Sequence, residues 1–475
     1  MFKFLTILLI VFYVYTVLST IILIIMENRN PVKSLSWLLV LIFLPVIGLI
    51  LYFIIGQDYR KRKWISLKSI QRITQRPCAS FDINQLDEVE MPDNHFHKLI
   101  HLLKNNSEAD AYVKNKIEVF SDGKKIFESI FESIRNAHDH IHIEFFIFED
   151  DKISNQLREL LIQKAKEGVR VRMIYDYLGS FHLSKKYLQS LRDAGVYAKP
   201  FLPLRFRIRR TKINYRNHRK IIVVDGKIGY TGGVNIADRY IYGNKLGVWR
   251  DTMVKIQGSG VHGIQKQFLI DWYFVDRKLI TDKKYFPTPL EFDNNVVQFV
   301  TSGPDTDWAN IMQGICAAIF SAQKYVYIHT PYFMPNDLVS GCMQMAALSG
   351  TEIRLILPEK SDAPLSDYSS STYLGEMLDA GVRVFKYQKG VLHSKAIVID
   401  DFLSIVGSTN FDDRSFEQNF EANAFIYDEE TALQLKELFV DDLEFCKELT
   451  KEEWYNRPRS QKLKESFARL FSPLM

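Results

Sequence analysis

The sequence predicts an α/β protein built twice, with mixed, mostly parallel sheets and flanking helices, behind an N-terminal hairpin of two transmembrane helices. Three observations carry this expectation. Two long apolar segments without a charge open the chain. Apolar runs of period 2 then alternate with runs of period 3.6, and one set of six residues recurs at identical spacing far down the chain. Composition agrees: 475 residues, 47% apolar and 25% charged, give room for two or three domains and argue against a disordered or collagen-like chain. The four cysteines, Cys78, Cys316, Cys342 and Cys446, form no close pair, which argues against a disulfide framework or a zinc ribbon and fits a reducing compartment.

Residues 4–26 and 34–56 are the apolar segments. At about 1.5 Å per helical residue each is long enough for a hydrocarbon core of roughly 30 Å. The first is too long for a signal-peptide core, lacks a small-x-small cleavage site and is followed at once by the second. Pro45 and Gly48 suggest a kink in the second. The loop between them holds Glu27, Arg29 and Lys33, whereas the exit reads Arg60-Lys61-Arg62-Lys63, so the basic run and all that follows are expected in the cytoplasm against anionic headgroups. The expected division is a membrane hairpin over 1–56, a polar linker over 57–107, a first domain over 108–290 and a second over 291–475.

In the body, a helical pattern at 126–137 leads into the apolar run 140–148, and later 311–322 leads into 325–333. Each run is followed by a helix and a further strand, at 169–177 and at 352–358. Each half then has a helix ending in Asp-Ala-Gly-Val, at 193–196 and 379–382. Order and spacing together indicate duplication.

The closest repeat follows. The first half carries His218, Lys220, Asp225, Gly232, Gly233 and Asn235; the second carries His393, Lys395, Asp400, Gly407, Ser408 and Asn410, all at the same mutual spacing. His and Lys two apart share one face of an extended segment. The pattern His-x-Lys-x4-Asp-x6-Gly-[Gly/Ser]-x-Asn resembles the signature of the phospholipase D superfamily, and two copies in one duplicated chain make chance improbable. The resemblance covers roughly 110–475. The N-terminal hairpin, the phrase at 217–221, Trp249-Arg250-Asp251, Thr330-Pro331-Tyr332-Phe333 and Ser472-Pro473-Leu474 make the chain similar to the bacterial cardiolipin synthases within that superfamily.

The resemblance implies phosphatidyl transfer between two phosphatidylglycerol molecules, giving cardiolipin and glycerol through a phosphatidyl-histidine, at a bacterial cytoplasmic membrane. It implies phosphatidylglycerol and anionic membrane lipid as partners, with no nucleic acid, no cofactor and no metal. A diester phosphorus needs a nucleophile on one side and a proton for the leaving oxygen on the other, and two imidazoles supply both near neutral pH. By family analogy His218 attacks and His393 is the acid and base; the sequence itself is symmetric on this point. Lys220, Lys395, Asn235 and Asn410, with Gly233 and Ser408, are expected around the phosphate oxygens. Asp225 and Asp400 complete the catalytic motifs and are expected to close turns rather than touch substrate. The family pattern suggests Glu421 as orienting partner of His393 and Asp251 as that of His218. Hydrolysis of phospholipid, phosphatidylserine synthesis and a membrane-tethered nuclease are the alternatives within the superfamily, and a silent scaffold is disfavoured by intact motifs.

Two basic features remain. Arg205, Arg207, Arg209, Arg210, Lys212, Arg216 and Arg219 are absent from the second half and read as a clamp for anionic headgroups or as a solvated face. The stretch 460–474 alternates cations with Leu463, Phe467, Leu470 and Phe471, as expected of a helix in the membrane interface or packed on its own domain.

Overall fold

The computed structural model describes residues 2–26, 31–56, 94–204, 214–293 and 295–470, which fall into an N-terminal helical unit and an α/β body. The basic runs at 60–63 and 205–212, the linker up to residue 93 and the ending 472–474 lie outside the described residues.

The first helix, Phe2–Met26, has 25 residues, about 37 Å at 1.5 Å per residue. Phe4, Leu5, Ile7, Leu8, Val11 and Phe12 all face outward, while the hydroxyls of Thr16 and Thr20 donate to carbonyls one turn earlier at 2.8 and 2.7 Å. An apolar exterior with internally satisfied polar groups is what a hydrocarbon solvent demands. The second apolar segment is broken. A helix over Pro31–Phe43 stops at Leu44 (φ −130°, ψ 62°), a short helix follows over Pro45–Leu51, and a π-helical turn closes at Tyr52–Gly56. Proline lacks the amide donor and pushes its predecessor out of the α region. The second apolar segment, in which Pro45 and Gly48 suggest a kink, is therefore a kinked pair of helices. Among the described residues only Lys3–Met26 is long and apolar enough to cross a bilayer as one helix.

In the body one 15-stranded sheet runs through both halves. From its outer edge inward, the first half contributes 197–201, 170–176, 140–145, 221–224, 228–232, 253–258 and 111–120. The second contributes 383–387, 352–358, 325–329, 396–399, 403–407, 421–427 and 295–302, with 446–449 added outside. The two orders correspond strand by strand, so the halves are related by a pseudo-twofold and meet where Ala111–Phe120 pairs antiparallel with Asn295–Ser302. The sheet is mixed, but not mostly parallel as expected. Parallel pairing is confined to 140–145 with 170–176 and 197–201, and to 325–329 with 352–358 and 383–387. There a crossover helix joins strands that are neighbours in the sheet; further in, tight turns at Asp225-Gly226 and Asp400-Asp401 force antiparallel neighbours.

Period 3.6 builds the covering helices. Gly123–Arg135, capped by Asp122, buries Ile126, Phe127, Ile130 and Ile134. Asn310–Ser321 buries Ile311, Ile315 and Ile319 on the equivalent face. Gly195 and Gly381, in the repeated Asp-Ala-Gly-Val, have φ of +90° and +99° with open space around a would-be Cβ, so conformation alone selects glycine. The helix His97–Ser107, at the end of the expected linker, inserts Leu99, Ile100 and Leu103 into the second half's core. The C-terminal helix Arg459–Arg469 packs on the helix Pro364–Ala380. It buries Ala468 and Glu465, whose carboxylate pairs with Arg457 at 3.1 Å, and leaves Leu463 and Phe467 exposed.

Candidate active site

His218 and Lys220 lie in the extended lead-in to the strand Ile221–Val224; His393 and Lys395 occupy the same place before Ala396–Ile399. Each lead-in pairs not with its own half but with the other. The short strand Gly390–Leu392 runs parallel to Val248–Arg250, and the His393 N–H donates to the Arg250 carbonyl at 2.8 Å. Symmetrically, Asn217 bridges to Phe420, and the His218 N–H donates to the Phe420 carbonyl at 2.9 Å. The next residue in each partner segment is an acid.

The acids are exchanged relative to expectation. Nδ1 of His218 lies 3.0 Å from the Glu421 carboxylate, and Nδ1 of His393 lies 2.7 Å from Asp251 Oδ2. The expected pairing, Glu421 with His393 and Asp251 with His218, is thus corrected. Each lead-in crosses into the opposite half, so each imidazole meets the carboxylate that follows its cross-half backbone partner. All four side chains are buried. A carboxylate on Nδ1 fixes the proton there and leaves the Nε2 lone pair for chemistry.

Gly233 and Ser408, expected against phosphate, seat these carboxylates instead. A Cβ on Gly233 would stand 2.1 Å from Asp251 Oδ1, so only glycine lets that carboxylate lie on the backbone. The Ser408 hydroxyl donates to Glu421 and accepts the Ala422 N–H at 3.0 Å. Asp225 and Asp400 are structural in effect. Asp225 accepts N–H bonds from His138, Asp139 and His140 at 2.8, 2.8 and 2.9 Å, and Asp400 from Gln323, Lys324 and Tyr325 at 2.6, 2.8 and 2.9 Å. They fasten one strand to the next at the end far from the lysines, five residues or about 16 Å along an extended segment, at the turns and away from the imidazoles.

Lys220 Nζ donates to the His218 carbonyl at 2.6 Å, and Lys395 Nζ lies 2.8 Å from His393 Nδ1. Asn235 accepts the Ile147 N–H at 3.2 Å and donates to the Tyr240 hydroxyl at 3.1 Å. Asn410 is buried in the equivalent position. Burial pushes Lys220 down to about 7 and Lys395 to about 8, and lowers His218 to about 4 against the pull of Glu421. Burial and the Lys395 charge hold His393 well below its ordinary value. Burial raises Asp251 to about 6. It also raises Glu421, but there the His218 and Lys220 interactions outweigh it and leave the carboxyl lowered. A buried cluster of crowded cations is electrostatically suited to a phosphodiester anion, whose arrival replaces repulsion with attraction.

Several supporting residues carried no readable signal. Arg219, grouped in the sequence with a surface clamp, is buried. It forms a forked pair with Asp271 at 2.7 and 2.8 Å and donates through Nε to the Glu421 carbonyl at 3.2 Å. Arg216 is buried as well, so the basic segment's described members are internal. Phe146 lies edge-on to His218 and Trp249 tilted to His393, each with ring centroids 5.0 Å apart. Thr252 and Ser394 hydrogen-bond across the halves at 2.8 Å. Only the Arg250-Asp251-Thr252 and Phe420-Glu421-Ala422 parallel, a residue of bulk before an acid, hints at this second layer.

Comparison with known proteins places this geometry. The family model described as cardiolipin synthase, PLD-like domain, matches residues 130–272 and 315–443, and the one described as phospholipase D-nuclease N-terminal matches 7–57. Cardiolipin synthase 2 of Bacillus cereus is 39% identical over 455 residues, 95% of this chain and 88% of that protein. The major cardiolipin synthase ClsA of Bacillus subtilis is 38% identical over 478 residues, 99% of each. Among solved structures, a phosphatidylserine synthase of Haemophilus influenzae shares the fold at a TM-score of 0.63 and 16% identity, covering 80% of this chain and all of that one.

Proposed function

The chain belongs to the family of PLD-like cardiolipin synthases, and from that premise we propose that it transfers a phosphatidyl group between two phosphatidylglycerol molecules, making cardiolipin and releasing glycerol. The observation that carries the reading is the pair of cross-braced imidazoles, each with its own carboxylate and lysine, in a chain similar to cardiolipin synthases along nearly its whole length.

In the first half-reaction His218 Nε2 attacks the phosphorus of one phosphatidylglycerol. The phosphorus–oxygen bond to glycerol breaks, and the departing oxygen takes a proton from His393. Lys220, Lys395, Asn235 and Asn410 hold the non-bridging oxygens as charge develops on them. In the second, His393 removes the proton from a headgroup hydroxyl of another phosphatidylglycerol. That oxygen attacks phosphorus, the bond to His218 breaks, and the histidine is regenerated. Neutral His218, favoured by burial, is ready to attack; His393 gains its proton as the substrate anion enters.

The family is membrane-associated, and the outward apolar face of Phe2–Met26 supports a bilayer anchor. The basic run after the second apolar segment supports a body on the cytoplasmic side. A thiol reagent confined to the outside should then label a cysteine placed at Asn30 and leave one placed in the body untouched. The activity itself is tested with purified enzyme in phosphatidylglycerol vesicles. Cardiolipin and free glycerol should appear in equal amounts, and phosphatidic acid as the sole product would overturn the transferase reading.

A further inference from the structure

The two halves, alike in their motifs, wall their histidines differently. After the strand His140–Phe145 the first half places Phe146, whose ring meets His218 edge-on with Lys220 Nζ 5.6 Å from its centroid. After the equivalent strand Tyr325–His329 the second half reads Thr330-Pro331-Tyr332-Phe333. Thr330 Oγ1 donates to the Tyr332 carbonyl at 2.9 Å and accepts the Phe411 N–H at 3.2 Å. Phe333–Met334 pairs parallel with Phe411–Asp412, so Tyr332 and Asn410 each immediately precede the same paired residues. Tyr332 is half-buried, and its hydroxyl donates to Asp362 Oδ1 at 2.5 Å. Asp362 is exposed, in the loop after the strand Glu352–Pro358, and its charge acts on both His393 and Lys395. A half-buried phenol joined to a solvent-exposed carboxylate therefore stands after this strand, where the first half places Phe146 against His218.

We propose that Tyr332 and Asp362 form the alcohol subsite of the enzyme, binding the hydroxyl next to the reacting one and so selecting vicinal diols over water and monohydric alcohols. The inference rests on the transferase reading and deepens it. In that reading both the leaving and the entering alcohol are glycerol hydroxyls exchanging a proton with His393, and each has a free hydroxyl on the adjacent carbon. Asp362 accepts that neighbouring O–H, while the Tyr332 phenol, kept protonated by burial and by Asp362, keeps its one proton on Asp362 Oδ1 and so holds the carboxylate in place. The reacting oxygen is thereby held toward phosphorus. Its proton passes to His393 as the new oxygen–phosphorus bond forms and the bond to His218 breaks. Water has no second hydroxyl to hold, and a monohydric alcohol leaves the carboxylate without its partner.

The test uses competing acceptors. Full-length enzyme in phosphatidylglycerol vesicles is given 1,2-propanediol and 1-propanol at equal concentration, and the two phosphatidyl-alcohol products are measured. Both acceptors partition from one covalent intermediate, so their ratio reads the second step alone and is blind to the fraction of folded enzyme. Wild-type enzyme should favour the diol at least tenfold. Asp362→Asn should lower that ratio about tenfold, the worth of one hydrogen bond to a charged group, and Tyr332→Phe should lower it severalfold. Tyr332→Phe decides the matter if Asp362→Asn yields no product. An unchanged ratio in the variants, or equal use of both alcohols by wild-type enzyme, overturns the subsite while leaving the transferase standing. Phosphatidic acid as the only wild-type product overturns the transferase reading itself.

Discussion

Glu421→Gln and Asp251→Asn together test whether the acids really cross between halves. A full charge on His218 at 3.0 Å from Glu421 interacts by about 5.5 kcal/mol at an effective dielectric of about 20. With about half of that charge developed in the first transition state, the loss is about 2.7 kcal/mol, or roughly 100-fold in the rate of forming the covalent intermediate. The amide conserves shape and one hydrogen bond, so the effect is mainly electrostatic. The measurement is rapid-quench single turnover with two donors, phosphatidylglycerol and a phosphatidyl ester of a phenol. Glu421→Gln should slow intermediate formation about 100-fold with both donors, because it weakens the nucleophile. Asp251→Asn should slow it with the glycerol donor and spare the phenol donor, whose leaving group needs little protonation. The reverse pattern, in which Asp251→Asn slows both donors and Glu421→Gln spares the phenol ester, would refute the crossed pairing or the assignment of His218 as nucleophile.

Four further outcomes are expected. Since His218 is lowered to about 4, it stays neutral well below the ordinary imidazole range, and the acid limb of kcat/KM should lie far below 6.5. Lys220 and Lys395, lowered to about 7 and about 8, hold phosphate only while protonated, so kcat/KM should fall as pH rises through 7 to 8, with Lys220→Arg moving its part of that limb upward in a pH–rate profile. Gly233→Ala must push aside the Asp251 carboxylate 2.1 Å from the new methyl; a stability loss of about 1–3 kcal/mol by thermal unfolding and a disproportionately large loss of turnover are expected, and wild-type turnover would discount the seat. With a phenol-ester donor, His393→Ala should trap a phosphatidyl group on His218, seen as a mass increase on its peptide, whereas His218→Ala should trap nothing.

Hydrophobic period and motif spacing made the duplicated α/β architecture legible, because both follow from local chain geometry. The same logic overestimated parallel pairing: period 2 in a buried strand is the same whether its neighbour runs up or down, and only the length of the connection tells them apart. The hinge-like break at Leu44 was readable from Pro45, but its consequence for crossing the bilayer was not. At the site, His218, Lys220, His393 and Lys395 were legible as a repeated unit. Their acids were not assignable, since Asp251 and Glu421 are each compatible by spacing with either histidine. What decides is the parallel contact of Gly390–Leu392 with Val248–Arg250, a pairing of segments about 140 residues apart in sequence that no local pattern encodes. Arg219 was misread for a related reason. It alternates with His218 and Lys220 along one extended segment, so it faces the core beside Asp271 rather than solvent.

A duplicated chain makes two similar histidines, and the reaction needs them unlike. The crossed acids supply the difference. Glu421 is held in its ionised form by His218 and Lys220 and is braced by the Ser408 hydroxyl and the Asn419 amide. A firmly ionised carboxylate on Nδ1 raises the electron density of the imidazole and stabilises the cationic phosphoimidazole that attack produces, both of which favour His218 as nucleophile. Asp251 is drawn toward the neutral acid by burial, to about 6, and gives its histidine a weaker anion. An imidazolium less stabilised by its partner surrenders its proton more readily, which suits His393 to protonating an alkoxide and, once neutral, to receiving a proton from the next alcohol. The asymmetry needs no divergence within the His-x-Lys motifs themselves. It follows from Glu facing one ring and Asp the other, with a serine behind the first carboxylate and only a glycine behind the second. Removing the hydroxyl behind the first carboxylate, with Ser408→Gly, should therefore bring the two acids closer in strength. It should cost more in the coordination of the two half-reactions than in either lysine's hold on phosphate.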